Sequence, residues 1–242
     1  GYRALTDVTS GNQNVALGKD AATNLTSGDS NIAIGSDAIG VATTAEDIVA
    51  IGRNAAYAVN NDGADGTVAI GRNALTSLTS AGTVLGIGYQ ALTALTTGAS
   101  NHAIGYQSQA ANVDGVANVS FGRATLATNV SGNHNTAIGH QALETFNNNV
   151  DAYNTAVGMN NLQAITTGIY NSSVGALTLD AASHGESFNT AIGFAAMTSV
   201  NEGSIGQADH NVAVGYNALE GGHYAGTPNS LTGNIAIGSL AL

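Results

Sequence analysis

The chain has 242 residues, of which 43% are hydrophobic and only 9% charged, with 32 Gly, one Pro and neither Cys nor Trp. Five Lys and Arg against 16 Asp and Glu give a net charge of −11, which excludes the cation density that nucleic-acid phosphates or anionic lipid require. The hydrophobic content excludes a disordered chain, the lack of Cys excludes disulfides and thiolate metal sites, and no apolar run is long enough for a membrane-spanning helix.

From the N-terminus onward a single phrase recurs, Asn-x-small-aliphatic-Gly. It closes at Gly18, Gly35, Gly52, Gly71, Gly88, Gly105, Gly122, Gly139, Gly158, Gly175, Gly193, Gly215 and Gly238, most often 17 residues apart, with wider spacings toward the C-terminus. The residue before the Gly is large and apolar, as in Ile34, Ile51, Ile70, Ile104, Ile138, Ile192 and Ile237. Two before the Gly stands Ala in ten of thirteen copies, and four before it Asn in ten. Three before it the residue is often β-branched. This alternation predicts a short strand per copy, with the aliphatic columns on one face and the Ala column on the other. The aliphatic Ile column is expected to form the core, and the Ala column an outer wall that a neighbouring chain could approach closely.

Each Gly is expected to make a sharp bend. Gly18, Gly35, Gly52, Gly71, Gly88, Gly105 and Gly139 head the clearest copies. After the bend, pairs such as Ala4-Leu5, Ala74-Leu75, Ala91-Leu92 and Ala142-Leu143 offer a second inward side chain, and turn sequences such as Leu95-Thr96-Thr97-Gly98 complete the unit. One unit per coil predicts an all-β parallel solenoid, or β-roll, of about 13 to 14 coils spanning residues 1–242 as one repeat domain. Coils stacked about 4.8 Å apart would line up their Asn side chains as amide ladders. Longer loops are expected at 60–66, 147–152, 180–187, 201–210 and 221–233. Both ends fall inside a unit, which reads as a piece of a longer protein. Each coil brings few apolar side chains, so a multimer that pools thin cores is attractive.

Asn31-Ile32-Ala33-Ile34-Gly35, Asn135-Thr136-Ala137-Ile138-Gly139 and Asn211-Val212-Ala213-Val214-Gly215 resemble the head repeats of trimeric autotransporter adhesins of the YadA-like kind. Gly88-Tyr89-Gln90-Ala91-Leu92 is similar to repeats in phage tail fibres and large bacterial surface fibres. The resemblance covers essentially the whole chain. It implies a left-handed roll, three parallel chains about one axis, display outside the cell or on a virion tail, and adhesion to a glycan or protein receptor on a host. The units here are longer than those of the adhesin heads, and no heptad-patterned stalk accompanies them.

No catalytic, cofactor-binding or metal constellation emerges. The six His, at 102, 134, 140, 184, 210 and 223, show no i, i+4 zinc-protease spacing. Asn60–Asp65 is oxygen-rich but lacks calcium-loop spacing. Left-handed acyltransferase helices carry three aliphatic-led hexapeptides per coil, whereas this chain carries one aliphatic-Gly step. Thr gathers in turns such as Thr76–Thr79 and Thr93–Thr97, which disfavours an ice-binding array. Exposed Tyr89, Tyr106 and Tyr216, and the loop holding Tyr224, Pro228 and Asn229, are the candidate ligand contacts. The expectation is a non-enzymatic structural and adhesive fibre segment that partners itself, binds no nucleic acid and inserts into no membrane. A head-to-tail extracellular filament is the alternative. An Asp at Ile104 should wreck folding, whereas Ala at Asn229 should not.

Overall fold

A computed structural model describes residues 1–59, 62–180, 185–198, 208–220 and 231–241. Among them the fold is all-β: a parallel solenoid with no α-helix and a single 3-10 turn, Asp62–Ala64. The chain forms two compact units, Gly1–Asn118 and Val119–Leu242. The first contains β1 (Val15–Leu17), β2 (Ile32–Ile34), β3 (Val49–Ile51), β4 (Val68–Ile70), β5 (Leu85–Ile87) and β6 (His102–Ile104), paired in chain order. The second contains β7 (Val119–Phe121), β8 (Thr136–Ile138), β9 (Thr155–Val157), β10 (Ser172–Val174), β11 (Thr190–Ile192), β12 (Ala208–Asp209), β13 (Val212–Val214), β14 (Leu231–Thr232) and β15 (Ile235–Ile237). In that unit β7 to β11, β13 and β15 pair successively, and β12 and β14 form a separate two-stranded ribbon.

Register follows the sequence repeat without slippage. Ile34 pairs with Ile51, and Ile51 with Ile70, so like residues stand in rows. Two consecutive coils are joined throughout, not only at the strand. Gly71 N donates to Ile51 O at 2.7 Å, Asn73 N to Arg53 O at 2.9 Å and Leu75 N to Ala91 O at 3.0 Å. Turn threonines brace the same stack: Thr9 Oγ1 donates to Thr26 O at 3.0 Å, Thr26 Oγ1 to Thr43 O at 2.9 Å and Thr96 Oγ1 to Val113 O at 3.0 Å.

The strand alternation is as expected, but its two faces are reversed. The Ala column is the inner one: Ala33, Ala50, Ala69, Ala103, Ala137, Ala156, Ala191 and Ala213 are all fully buried. Ile34, Ile51, Ile70 and Ile104 are only half-buried, and Ile138, Ile192 and Ile237 are 37%, 44% and 71% exposed. These seven residues are therefore an outward row and not the core. Alternation says that Ile and Ala lie on opposite faces; it does not say which face is inside. The interior decides that by width. It is filled from the walls after the bend, by Leu75, Leu92, Leu126, Leu143, Leu162 and Leu179, and by Leu25, Leu78, Leu95, Phe146 and Ile165, all buried. Opposite these side chains the strand has room for little more than a methyl group. At Gly86, which replaces Ala in the inner column, even a Cβ would lie 2.9 Å from Leu75 Cγ. Truncating one of these wall residues should open a cavity: Leu92→Ala is expected to lower stability by about 3 kcal/mol, read as a shift in the denaturant midpoint.

The Asn column also faces inward and forms the anticipated ladder. In the second unit Asn154 Oδ1 accepts the N–H of Asn171 at 3.0 Å and its Nδ2 at 3.2 Å. Asn171 Oδ1 does the same for Asn189, Asn189 Oδ1 for Asn211, and Asn211 Oδ1 for Asn234. Asn154, Asn171, Asn189 and Asn211 each donate a second bond from Nδ2 to a backbone carbonyl, of Gly168, Glu186, Ala208 and Leu231, at 2.6–2.8 Å. In the first unit Asn14 and Asn31 are joined in the same way, as are Asn101 and Asn118. Between these pairs Ile48, Thr67 and Val84 take the column's place. At the end of the first unit the apolar wall gives way to Gln109 and Asn112, both buried, with Asn112 Nδ2 donating to Gln109 Oε1 at 3.0 Å.

Candidate interaction surface

The outward side of the strands carries two apolar columns in the first unit. One is Val15, Ile32, Val49, Val68 and Leu85, ending at His102; the other is Leu17, Ile34, Ile51, Ile70, Ile87 and Ile104. In the second unit the column before the Gly stays apolar, from Phe121 through Ile138, Val157, Val174 and Ile192 to Ile237. Its companion turns to hydroxyls at Thr136, Thr155, Ser172 and Thr190, then returns to Val212 and Ile235. Reading Thr only as a turn residue overlooked this column. Leu17, Phe121, Val174, Ile192, Ile235 and Ile237 are all exposed. Each unit thus carries an apolar stripe on its outward strand face, the kind of surface that protein contacts commonly use.

Two edges flank the stripe. Just past the bend, the position after the Gly is a cation in four of the thirteen copies: Lys19, Arg53 and Arg72 in the first unit and Arg123 in the second. Arg3 follows at the next position of its own coil, where the next coil has Asp20, and Asp20 pairs with both Arg3 at 3.6 Å and Lys19 at 3.3 Å. Aromatic residues share that edge. Arg72 covers Tyr89 at 5.7 Å from its centroid, and Tyr89 stacks on Tyr106 at 5.2 Å. Both faces of Tyr89 are thus covered, and Phe194 covers one face of Tyr216. This packing leaves neither ring face of Tyr89 open.

The opposite edge lies just before the Asn column. In the first unit it is acidic, with Asp29, Glu46, Asp47 and Asp65. Two of these carboxylates also hold the turn, Asp29 Oδ1 accepting from Asn12 N and Asp65 Oδ1 from Glu46 N. In the second unit the same edge is a continuous stack of five rings. His134, Tyr153, Tyr170, Phe188 and His210 follow one another with centroids 4.8, 5.5, 5.0 and 4.8 Å apart and planes within 14° of parallel. The sequence reading missed this ladder, although aligning the residues five before each bend Gly displays it.

The remaining candidates are quickly placed. His102 stands in the outward column beside Leu85. Tyr224, Pro228 and Asn229 lie outside the described residues, as does most of 201–210 and 221–233. Among the described residues no three His, Cys, Asp or Glu converge on a common point, and no helix is long and apolar enough to cross a membrane. No family model, curated protein or solved structure matches the chain.

Proposed function

We propose that this chain is a structural and adhesive segment of an extracellular fibre, built as a parallel homotrimer whose subunits meet through the outward strand face. One observation carries the reading. The large apolar side chains of the strands point outward from the single chain, while its interior is filled by Ala, by the Leu of the other walls and by Asn. Outward apolar side chains, half-buried or exposed in coil after coil, are hard to reconcile with a chain that works alone. A cyclic arrangement with its axis along the stacking direction buries the same columns in every subunit and pools three thin cores. The resemblance to adhesin heads and phage fibres points the same way, toward a stiff spacer that presents several copies of a weak receptor site and gains avidity from multivalency.

Mass in solution tests the assembly. Sedimentation at micromolar concentration is expected to give three times 23.9 kDa, and a monomer would sink the proposal. Ile104→Asp is the matching variant. Because Ile104 faces outward, the variant should keep the circular dichroism of the native fold and lose the trimer. Loss of the fold itself would mean that the face is needed inside the chain.

A further inference from the structure

We infer that the last coil of the first unit, the one that follows Gly105, is a built-in break in cooperativity. Residues 1–118 and residues 119–242 then open as two separate blocks, and a loaded fibre yields one block at a time. The inference goes beyond the trimer reading and does not depend on it, because it concerns the interior of each chain. The wall positions four and seven past the bend hold Leu75 and Leu78 in one coil and Leu92 and Leu95 in the next, all fully buried. In the coil after Gly105 the same two positions hold Gln109 and Asn112, buried as completely, and buried Ser108 stands where those coils have Ala74 and Ala91. Among the described residues no other coil is polar at both wall positions. Between Ala103 and Leu126 the only described residue that is both apolar and buried is Ala124. The buried apolar residues accordingly form two clusters, one from Ala21 to Ala103 and the other from Leu126 to Ala236.

The amides at this wall position also bond differently from those of the Asn column. Asn112 Nδ2 donates to Gln109 Oε1 at 3.0 Å, and its Oδ1 accepts from Gly115 N at 2.8 Å. Both bonds close its own turn. Asn129, at the same position in the first coil of the second unit, does likewise: its Oδ1 accepts from Gly132 N and its Nδ2 donates to Gly132 O, both at 2.9 Å. By contrast, Asn171 is tied to Asn154, a full coil away. An amide that closes its own turn is satisfied without holding one coil to the next. A Leu in the same column gains its burial from the coils on either side, so it couples them. In a solenoid, cooperativity spreads through such coil-to-coil terms, and a coil with a polar interior is the kind that ends an array. Where buried apolar contacts thin out, native chains divide into units that open separately. The coil after Gly105 has lost both of its wall leucines, whereas the coil after Gly122 keeps Leu126 beside Asn129 and so belongs with the second core.

Native-state hydrogen exchange of the full chain in low denaturant, read by mass spectrometry, tests this. Leu92→Ala weakens the first core and Leu162→Ala the second. Leu92→Ala is expected to speed exchange at the strand amides of β1 to β6 about a hundredfold and to leave those of β8 to β11 unchanged. Leu162→Ala should do the reverse. Gln109→Leu with Asn112→Leu gives the coil after Gly105 the wall residues of the coil before it. In that background Leu92→Ala should speed exchange in β8 to β11 as well, because the break has been filled. Acceleration of both blocks by either alanine variant in the natural background would overturn the inference. So would an acceleration confined to the coils beside the substitution, which would mean that no block exists. A folded leucine pair that leaves the two blocks independent would remove Gln109 and Asn112 as the cause; should that pair not fold, the two alanine variants decide. A monomer in solution would sink the trimer and leave the two blocks standing.

Discussion

Gly71→Ala is expected to abolish the native fold, whereas Gly66→Ala, five residues away, should cost little more than local strain. The bend glycines stack backbone on backbone. A Cβ on Gly71 would lie 2.4 Å from Gly88 O and 2.6 Å from Gly88 C, in a residue with φ of +137°. Neither obstacle is a flexible side chain, so relief requires prising two coils apart and breaking hydrogen bonds such as Gly88 N to Ile70 O. Backbone strain of about 1–3 kcal/mol adds to a steric clash that the neighbouring coil cannot absorb. The sum belongs with the rare substitutions that exceed about 4 kcal/mol. Gly66 also has positive φ, +73°, but nothing lies within 4 Å of its Cβ position. Only the left-handed penalty of about 1–2 kcal/mol applies there. Thermal melting of the two variants side by side measures the difference. Equal stabilities would refute the close stacking of the Gly column.

The second large effect is expected at Asn171, the middle of the longest amide ladder. Its Nδ2 donates to Asn154 Oδ1 and to Glu186 O, and its Oδ1 accepts from the N–H and Nδ2 of Asn189, all in a fully buried position. Asn171→Asp preserves shape and the accepting oxygen but deletes both donors. It also sets a carboxylate against two oxygens that had been hydrogen-bonded. Two orphaned acceptors and an unpaired buried charge predict a loss of about 3–5 kcal/mol at neutral pH. Burial disfavours the ionised form, so the destabilisation should ease as the solution is acidified and the carboxyl takes up a proton that can be donated again. Asn171→Ala loses the same bonds but carries no titratable group, and its deficit should not vary in this way. Denaturant midpoints from pH 4 to 8 distinguish the two. A variant as stable as wild type would mean that the ladder is decoration.

Periodicity alone predicted the parallel stack, the bend at each Gly, the pairing of Ile34 with Ile51 and Ile70, and the amide ladder, because each depends only on like residues recurring at fixed offsets. It could not orient the strand. Ile is more hydrophobic than Ala, which made the Ile column the natural core, but the cross-section was already occupied by Leu75, Leu92 and their equivalents from other walls. Volume, not hydrophobicity, assigned the inside. The edges were missed for a different reason. Lys19, Arg53 and Arg72 look scattered along the sequence, and so do His134, Tyr153, Tyr170, Phe188 and His210. Their grouping appears only when the chain is wound and residues a full coil apart become neighbours. The loop around Tyr224, Pro228 and Asn229 remains a sequence proposal, outside the described residues.

Every coil holds several ordinary residues in the left-handed region that glycine would normally occupy. In the coil that begins at Gly71 these are Asn73, Leu75 and Thr83, with φ of 58°, 51° and 58°. An isolated segment would not settle there, since bulky side chains disfavour that conformation. The adjoining coil supplies the hydrogen bonds that hold it, as Leu75 N does with Ala91 O. Winding is thus expensive to begin and easy to continue: the first finished turn acts as a seed, and each later stretch of chain is cast on the one already in place.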